Sequence, residues 1–309
     1  MRLVTFAHRL GESFGLADDR GVCDIAALWP QGPRSMLHFL EAGKPAMEEA
    51  LRLAARSNAR LDGAEVKLLA PIPNPPKVIG LAVNYAEHHR ESSTQALPDD
   101  PRLYTTPRPF IMPGTAICGP GDEIPWPAYS RQIDYEVELA VVIGSRARCV
   151  SPAQAPRHIA GYTIANDISA RSVTYADGRA RREKDDFFDW LHGKWADRFC
   201  PIGPCLVTGD ELGDPSNLDL ELSVNSRVRQ KANTSQMIFN VYEIVSFISH
   251  VMTLTAGDVI ATGTPSGVGM ATGDYLSGGD VITCRIERIG ELTNTLGQPP
   301  PAFYTPCKR

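Results

Sequence analysis

Asp134-Tyr135-Glu136-Val137-Glu138-Leu139-Ala140-Val141-Val142-Ile143-Gly144 is an apolar run that opens with a carboxylate at every second position. Side chains alternate faces along a strand, so Asp134, Glu136 and Glu138 share one face and Tyr135, Val137 and Leu139 the other. Three adjacent anions on one face of an apolar strand repel one another and are costly to desolvate, unless a cation sits among them or they point into water. The run is therefore a predicted strand and a first hint of a metal site. A second stretch with the same alternation, Leu218-Asp219-Leu220-Glu221-Leu222-Ser223-Val224, tempers that hint. There the acids are expected to face solvent, so alternation alone does not define a site.

The segments around this run also read as strands. Lys77-Val78-Ile79-Gly80-Leu81-Ala82-Val83 and Ile159-Ala160-Gly161-Tyr162-Thr163-Ile164-Ala165 have buried-strand composition, and the second ends at Asn166-Asp167, a carboxylate at a strand end. Asn225-Ser226 predicts a hairpin, and 279–286 a final strand. Cys200-Pro201-Ile202-Gly203-Pro204 reads as turn-rich. The best helix of this region is 242–251, with Ile244, Phe247, Ile248 and Val251 on one side. Short proline- and glycine-bounded segments elsewhere favour a β-rich α+β body.

Residues 1–70 read as a small N-terminal domain with strands at 3–7 and 22–25, a turn around Gly11 and Gly15, and two short helices interrupted at Gly43-Lys44-Pro45. Pro71-Ile72-Pro73-Asn74-Pro75-Pro76 is a proline-rich linker. Residues 77–309 follow as a second, larger domain. Within it, 92–107 turns polar and proline-rich and predicts a mobile loop that could serve as a lid.

His88 and Glu91 lie three apart, on one side of a helix if Asn84 caps it. On spacing alone the commoner reading is a solvated helix face. The alternative is a carboxylate that orients an imidazole as a base. The loop at Ala261-Thr262-Gly263-Thr264-Pro265-Ser266-Gly267-Val268-Gly269 lets backbone N–H groups approach an anionic ligand, yet matches neither a Walker loop nor a dinucleotide fingerprint.

A formal charge of −5 gives no general attraction to nucleic acid or anionic membranes. No apolar run reaches the length of a membrane span, and the first residues lack the apolar core of a secretory signal. Seven scattered cysteines argue against a disulfide framework, and the expected location is cytoplasmic.

Taken in order, Asn84-Tyr85 with His88 and Glu91, Asp134 to Glu138, Gly161-Tyr162-Thr163 through Asp167 to Arg171, Gly193-Lys194 with Asp197, and Gly257 to Gly269 resemble the fumarylacetoacetate hydrolase family over about residues 77–296. The resemblance implies a mixed β-roll core with a small N-terminal α+β domain, a homodimer, and Mg2+ or Mn2+ held by Glu136, Glu138 and Asp167. Asp134 faces the same way on strand geometry, whereas shorter family members ligate with three carboxylates. His88, oriented by Glu91, and Lys194 become the catalytic groups, and Tyr85, Arg171 and Thr264 contact the substrate. The implied activity is hydrolysis of a C–C bond in an acylpyruvate-like or diketo acid of aromatic or sugar-acid catabolism. The rivals are an isomerase, hydratase or decarboxylase of a 2-oxo or 2-hydroxydienoate acid, and a non-catalytic ligand-binding module.

Two departures from the family pattern stand out. Asp167 and Lys194 are 27 positions apart, several more than is usual, with the extra residues in the charged stretch 177–189. Ser172-Val173-Thr174 and Trp195-Ala196 replace the commoner Asp-Trp-Gln and a Ser or Thr after the lysine.

Overall fold

Val137–Ile143 lies in the middle of the main sheet and is buried along its whole length in the computed structural model, which describes residues 1–92, 98 and 101–306. Val137, Leu139, Val141 and Ile143 enter one hydrophobic cluster, and Ala140 and Val142 enter a second on the opposite face. This division fixes the register. A slip of one residue would drive Glu138 into the cluster that now receives Leu139.

The strand pairs antiparallel with Ile159–Asn166 and with Val259–Ala261. Beyond these, the sheet runs through Cys200–Thr208, Arg2–His8 and Gly11–Asp18 to Gly21–Asp24 at one edge, and through Val78–Leu81 to Pro109–Met112 at the other. A five-stranded sheet has the order Arg227–Asn233, Asp219–Val224, Val281–Ile286, Gly290–Leu296, Glu123–Ile124. Its Leu220, Leu222, Ile282 and Leu292 join the cluster of Val137 and Leu139. The helix Val241–Val251 adds Ile244, Val245 and Ile248 to that core and is capped by a reciprocal Asn240–Glu243 box. The result is the expected β-rich α+β fold.

The leading region carries the predicted strands and the helices Met36–Glu41 and Gly43–Arg56. Arg2 and Leu3 pair with Val207 and Leu206, so the main sheet crosses from this region into the rest of the chain. Leu3, Phe14 and Phe39 share a cluster with Ala140, Val142 and Ile202. Residues 71–76 are free of helix, but Pro71, Ile72 and Pro75 are buried, so the segment is packed against the body along part of its length.

Several local expectations are corrected. Gly15 is not a turn residue but sits inside Gly11–Asp18, where an added Cβ would collide with the Cys23 carbonyl of the adjacent strand. The segment expected to be turn-rich at Cys200 is the strand Cys200–Thr208; its prolines are tolerated beside a register shift between Tyr162 and Ile164. Val251 is more than half exposed and leaves the apolar helix face to Val245. Within the expected lid at 92–107, Pro101–Tyr104 is a short helix, and 93–97 with 99–100 lie outside the described residues. The six described cysteines are free thiols.

Candidate metal and active site

Glu138 stands near the start of the central strand on the face of Ala140 and Val142, Glu136 immediately precedes that strand, and Asp167 follows the adjacent strand Ile159–Asn166. The pairing of Val137 with Asn166 brings them together. Asn166 Oδ1 accepts the Glu136 N–H at 3.0 Å, and the Glu136 carbonyl accepts the Asp167 N–H at 2.9 Å. All three carboxylates are buried, and one oxygen from each lies within 4.8 Å of the others.

Lys194, only 2% exposed, donates from Nζ to Glu136 Oε2 at 2.8 Å and to Asp167 Oδ2 at 2.7 Å. Arg171 Nη2 bonds Glu136 Oε1, and the Gly263 N–H bonds Glu138 Oε2 at 2.6 Å. Asp167 Oδ1 is buried without a partner. Burial, with the charges of Asp167 and Glu136, pushes Glu138 well above the usual carboxylate range. Burial also raises Asp167 to about 6, against the pull of the Lys194 ammonium. Burial acts on Glu136 in the same sense, but Lys194 and Arg171 together outweigh it and hold the group at about 2. An all-oxygen donor set with one unpartnered buried oxygen and an excess of negative charge fits a hard divalent cation such as Mg2+ or Mn2+.

Asp134 does not join the triad. The extended run is interrupted at residues 135 and 136, and Asp134 belongs to the short strand Ile133–Asp134, paired with Ser169–Ala170. Its carboxylate accepts N–H groups from Gly269 at 2.6 Å and Met270 at 3.0 Å, and pairs with Arg171 Nε at 2.9 Å. The alternation argument overreached by assuming one continuous strand.

His88 is buried on the helix Ala86–Ser92, with Nδ1 2.8 Å from Glu91 Oε1. An ionised carboxylate only accepts, so Nδ1 carries the proton and Nε2 is the basic nitrogen. Gly267 N–H holds Glu91 Oε2 at 3.0 Å. Asn84 is not the cap of this helix. Its amide donates to the Phe239 and Thr262 carbonyls and accepts the Phe239 N–H, tying three segments together. The glycine-rich loop is likewise reassigned: its N–H groups at Gly263, Gly267 and Gly269 bind Glu138, Glu91 and Asp134, carboxylates of the chain itself.

A cavity of about 200 Å³ opens over these groups. Glu136, Asp167, Arg171, Lys194 and His88 line it together with the apolar Leu81, Val83, Phe110, Trp190 and Met270. Thr264 also lines it, although its hydroxyl donates to the Val137 carbonyl at 3.0 Å and accepts from Gln230 at 2.9 Å. Tyr85, expected to contact substrate, is not in this lining: its ring is buried and lines a second cavity with Pro265 and Lys231. Sequence reasoning missed the apolar wall and Gln230, which bridges Thr264, Pro265 and the Val137 N–H. Nothing in the local pattern of Phe110 or Trp190 distinguishes them from core aromatics.

Fold and site together define a sheet-rich α+β protein with a buried carboxylate triad at a small cavity. Residues 77–297 match the family described as Fumarylacetoacetate (FAA) hydrolase C-terminal, and the chain belongs to this family of enzymes. The Bos taurus protein named oxaloacetate tautomerase FAHD2A, mitochondrial, is 40% identical over 300 residues, covering 95% of this chain and 91% of that protein. Maleylpyruvate hydrolase from Sphingobium sp. SYK-6, solved in complex with manganese (II) ion and pyruvate, is 32% identical with a TM-score of 0.77 over 97% of this chain and 100% of that one. The 5-carboxymethyl-2-hydroxymuconate delta-isomerase from Mycobacterium smegmatis is 34% identical with a TM-score of 0.72, over 97% and 100%. These relatives include a hydrolase, an isomerase and a tautomerase, so the family alone leaves the reaction open.

Proposed function

We propose that this protein is a metal-dependent enzyme acting through the enol form of a small 2-oxo acid, with tautomerisation of oxaloacetate as its first activity. The observation that carries the reading is the placement of His88 in the same small cavity as Glu136 and Asp167, two members of the buried carboxylate triad, the second with an unpartnered oxygen. The name of the bovine relative supports the choice of substrate. A cavity of about 200 Å³ suits a compact acid, since sites for drug-sized ligands begin near roughly 300 Å³.

Glu136, Glu138 and Asp167 would hold Mg2+ or Mn2+, which when bound supplies Lewis-acid stabilisation of enolate charge. His88 Nε2 takes a proton from the carbon beside the oxo group and delivers it to the enolate oxygen to give the enol, or carries it the opposite way in ketonisation, while Glu91 keeps the ring oriented. Lys194 and Arg171 offset the negative charge around the substrate carboxylate. Thr264 shapes the cavity floor through its bonds to Val137 and Gln230.

C–C bond hydrolysis of an acylpyruvate-like or diketo acid is the second reading, favoured by the His88–Glu91 pair and by the maleylpyruvate hydrolase relative. In it His88 activates water for addition to the distal carbonyl, the C–C bond breaks, and the released enolate is protonated to the 2-oxo acid. One assay discriminates. Mg2+- or Mn2+-loaded protein is incubated with enol-oxaloacetate and with a panel of acylpyruvates and hydroxymuconates, following enol absorbance and identifying products. Accelerated ketonisation of oxaloacetate without cleavage supports the first reading, and stoichiometric pyruvate plus acid from an acylpyruvate the second. Rearranged muconate would point to an isomerase, and no turnover across the panel to a binding module. The homodimer and the cytoplasmic location are part of this proposal; sedimentation and cell fractionation test them.

A further inference from the structure

Part of the cavity lining, with Phe110 and Trp190 in it, is built by residues that the chemistry above does not use. Phe110, on the edge strand Pro109–Met112, and Trp190, on the helix Asp185–His192, meet edge to face with ring centroids 5.0 Å apart and planes at 70°. The Phe110 ring lies over Gly80, where any Cβ would fall among its ring atoms. Lys194 Nζ is 5.9 Å from the centre of the same ring. Phe110 therefore has sheet backbone against one side and an indole against another, with little room to shift.

Trp190 is held through its helix. Arg179 makes two hydrogen bonds to Asp189 at 3.0 and 2.7 Å, Tyr175 Oη pairs with His192 Nδ1 at 2.9 Å, and Tyr129 Oη donates to the His192 carbonyl at 3.0 Å. This helix begins within the charged stretch that widens the spacing between Asp167 and Lys194. The unusual spacing thus delivers an aromatic side chain to the cavity.

We infer that Trp190 and Phe110 form a fixed wall that limits the length of substrate beyond its 2-oxo acid end, so that short acids are accepted and longer chains excluded. The inference rests on the reading that a 2-oxo acid binds at Glu136, Glu138 and Asp167. Both rings line the same cavity as Glu136 and Asp167, and Phe110 stands beside Lys194, so a chain that extends from an acid held there meets packed rings and must displace them. Single methylenes in such pockets change selectivity by roughly 10-fold to 200-fold.

The test is calorimetric binding of pyruvate, 2-oxobutanoate, 2-oxopentanoate and 2-oxohexanoate to the Mn2+-loaded full chain. Wild type, Trp190→Ala and Trp190→Phe are compared, with circular dichroism to check folding. Wild-type affinity is expected to fall at least about 10-fold from pyruvate to 2-oxohexanoate. Trp190→Ala should remove most of that fall and Trp190→Phe part of it; the Phe variant carries the test alone if the Ala variant does not fold. An equal fall in all folded proteins, or a wild-type affinity that rises with length, overturns the wall. Binding is read separately from turnover. Length-selective binding without tautomerase or hydrolase activity keeps the wall and removes the proposed function, turnover with length-independent binding does the reverse, and no binding of any member overturns both.

Discussion

Two strands of this molecule carry acids on alternate residues, and they meet opposite environments. At the start of Val137–Ile143, Glu136 and Glu138 are buried on a strand covered on both faces, with Asp167 brought beside them by the neighbouring strand. In Asp219–Val224 one face packs into the core through Leu220, Leu222 and Val224, while Asp219 is exposed and Glu221 retains 32% of its side-chain exposure beside Lys231. The pattern of residues is the same in both. What differs is the second layer over the acidic face, which turns repulsion that water would screen into a demand for cations.

The largest effect separating the strands should be on metal. Glu138→Gln and Asp167→Asn are expected to weaken Mn2+ binding by more than about 100-fold, beyond what loss of an outer contact costs. Glu221→Gln should leave it within about twofold and stability within about 0.5 kcal/mol. Calorimetry on the metal-free protein reads both. If Glu221→Gln weakened binding as much as Glu138→Gln, the contrast between buried and solvent-facing acids would break.

A second prediction divides the buried site into holder and proton carrier. His88→Ala should keep Mn2+ binding and lower turnover by about 10² to 10⁴-fold, the usual range for a general base. Full activity in that variant would remove His88 from the chemistry. Third, Asp134→Ala leaves the buried Arg171 guanidinium without one of its two carboxylates and frees three amides, so it should cost about 3–5 kcal/mol in denaturant unfolding. A loss below about 1 kcal/mol would show that Asp134 organises less than its contacts suggest.

The smallest effect concerns an acid at the surface. Asp18, at the end of Gly11–Asp18, has its carboxyl held below the usual range by hydrogen bonds from Arg60 and Arg20, the reverse of the rise at Glu138. Because the folded value is depressed, its contribution is present above the unfolded value near pH 4 and disappears as pH falls through the folded value. The stability gap between wild type and Asp18→Asn should therefore narrow on acidification below about pH 4. A gap that widens would reverse the sign of this interaction.

Much of this was legible in the residues. Period-two patterning located Val137–Ile143, Ile159–Asn166 and Asp219–Val224, and the Asn225-Ser226 turn is present with both residues at positive φ. The family motifs singled out the three carboxylates that lie together, with His88, Lys194 and Arg171 around the same cavity. The rest depended on contacts distant in sequence. The role of Asp134, which strand geometry had pointing the same way as Glu136 and Glu138, was not legible because the strand breaks at residues 135 and 136, and its partners Gly269 and Met270 lie more than 130 positions away. Gly15 and Cys200–Thr208 resemble turns by composition, but neighbouring strands decide their conformation. Phe110 and Trp190 have no local signature, since their role depends on two separate segments meeting edge to face.

Titration of metal-free protein with MnCl2, for wild type, Asp167→Asn and Glu221→Gln, tests the central claim most directly. The account predicts one site per chain in wild type and in Glu221→Gln, and none of comparable affinity in Asp167→Asn. Absence of a site in wild type, or an unchanged site in Asp167→Asn, would contradict it.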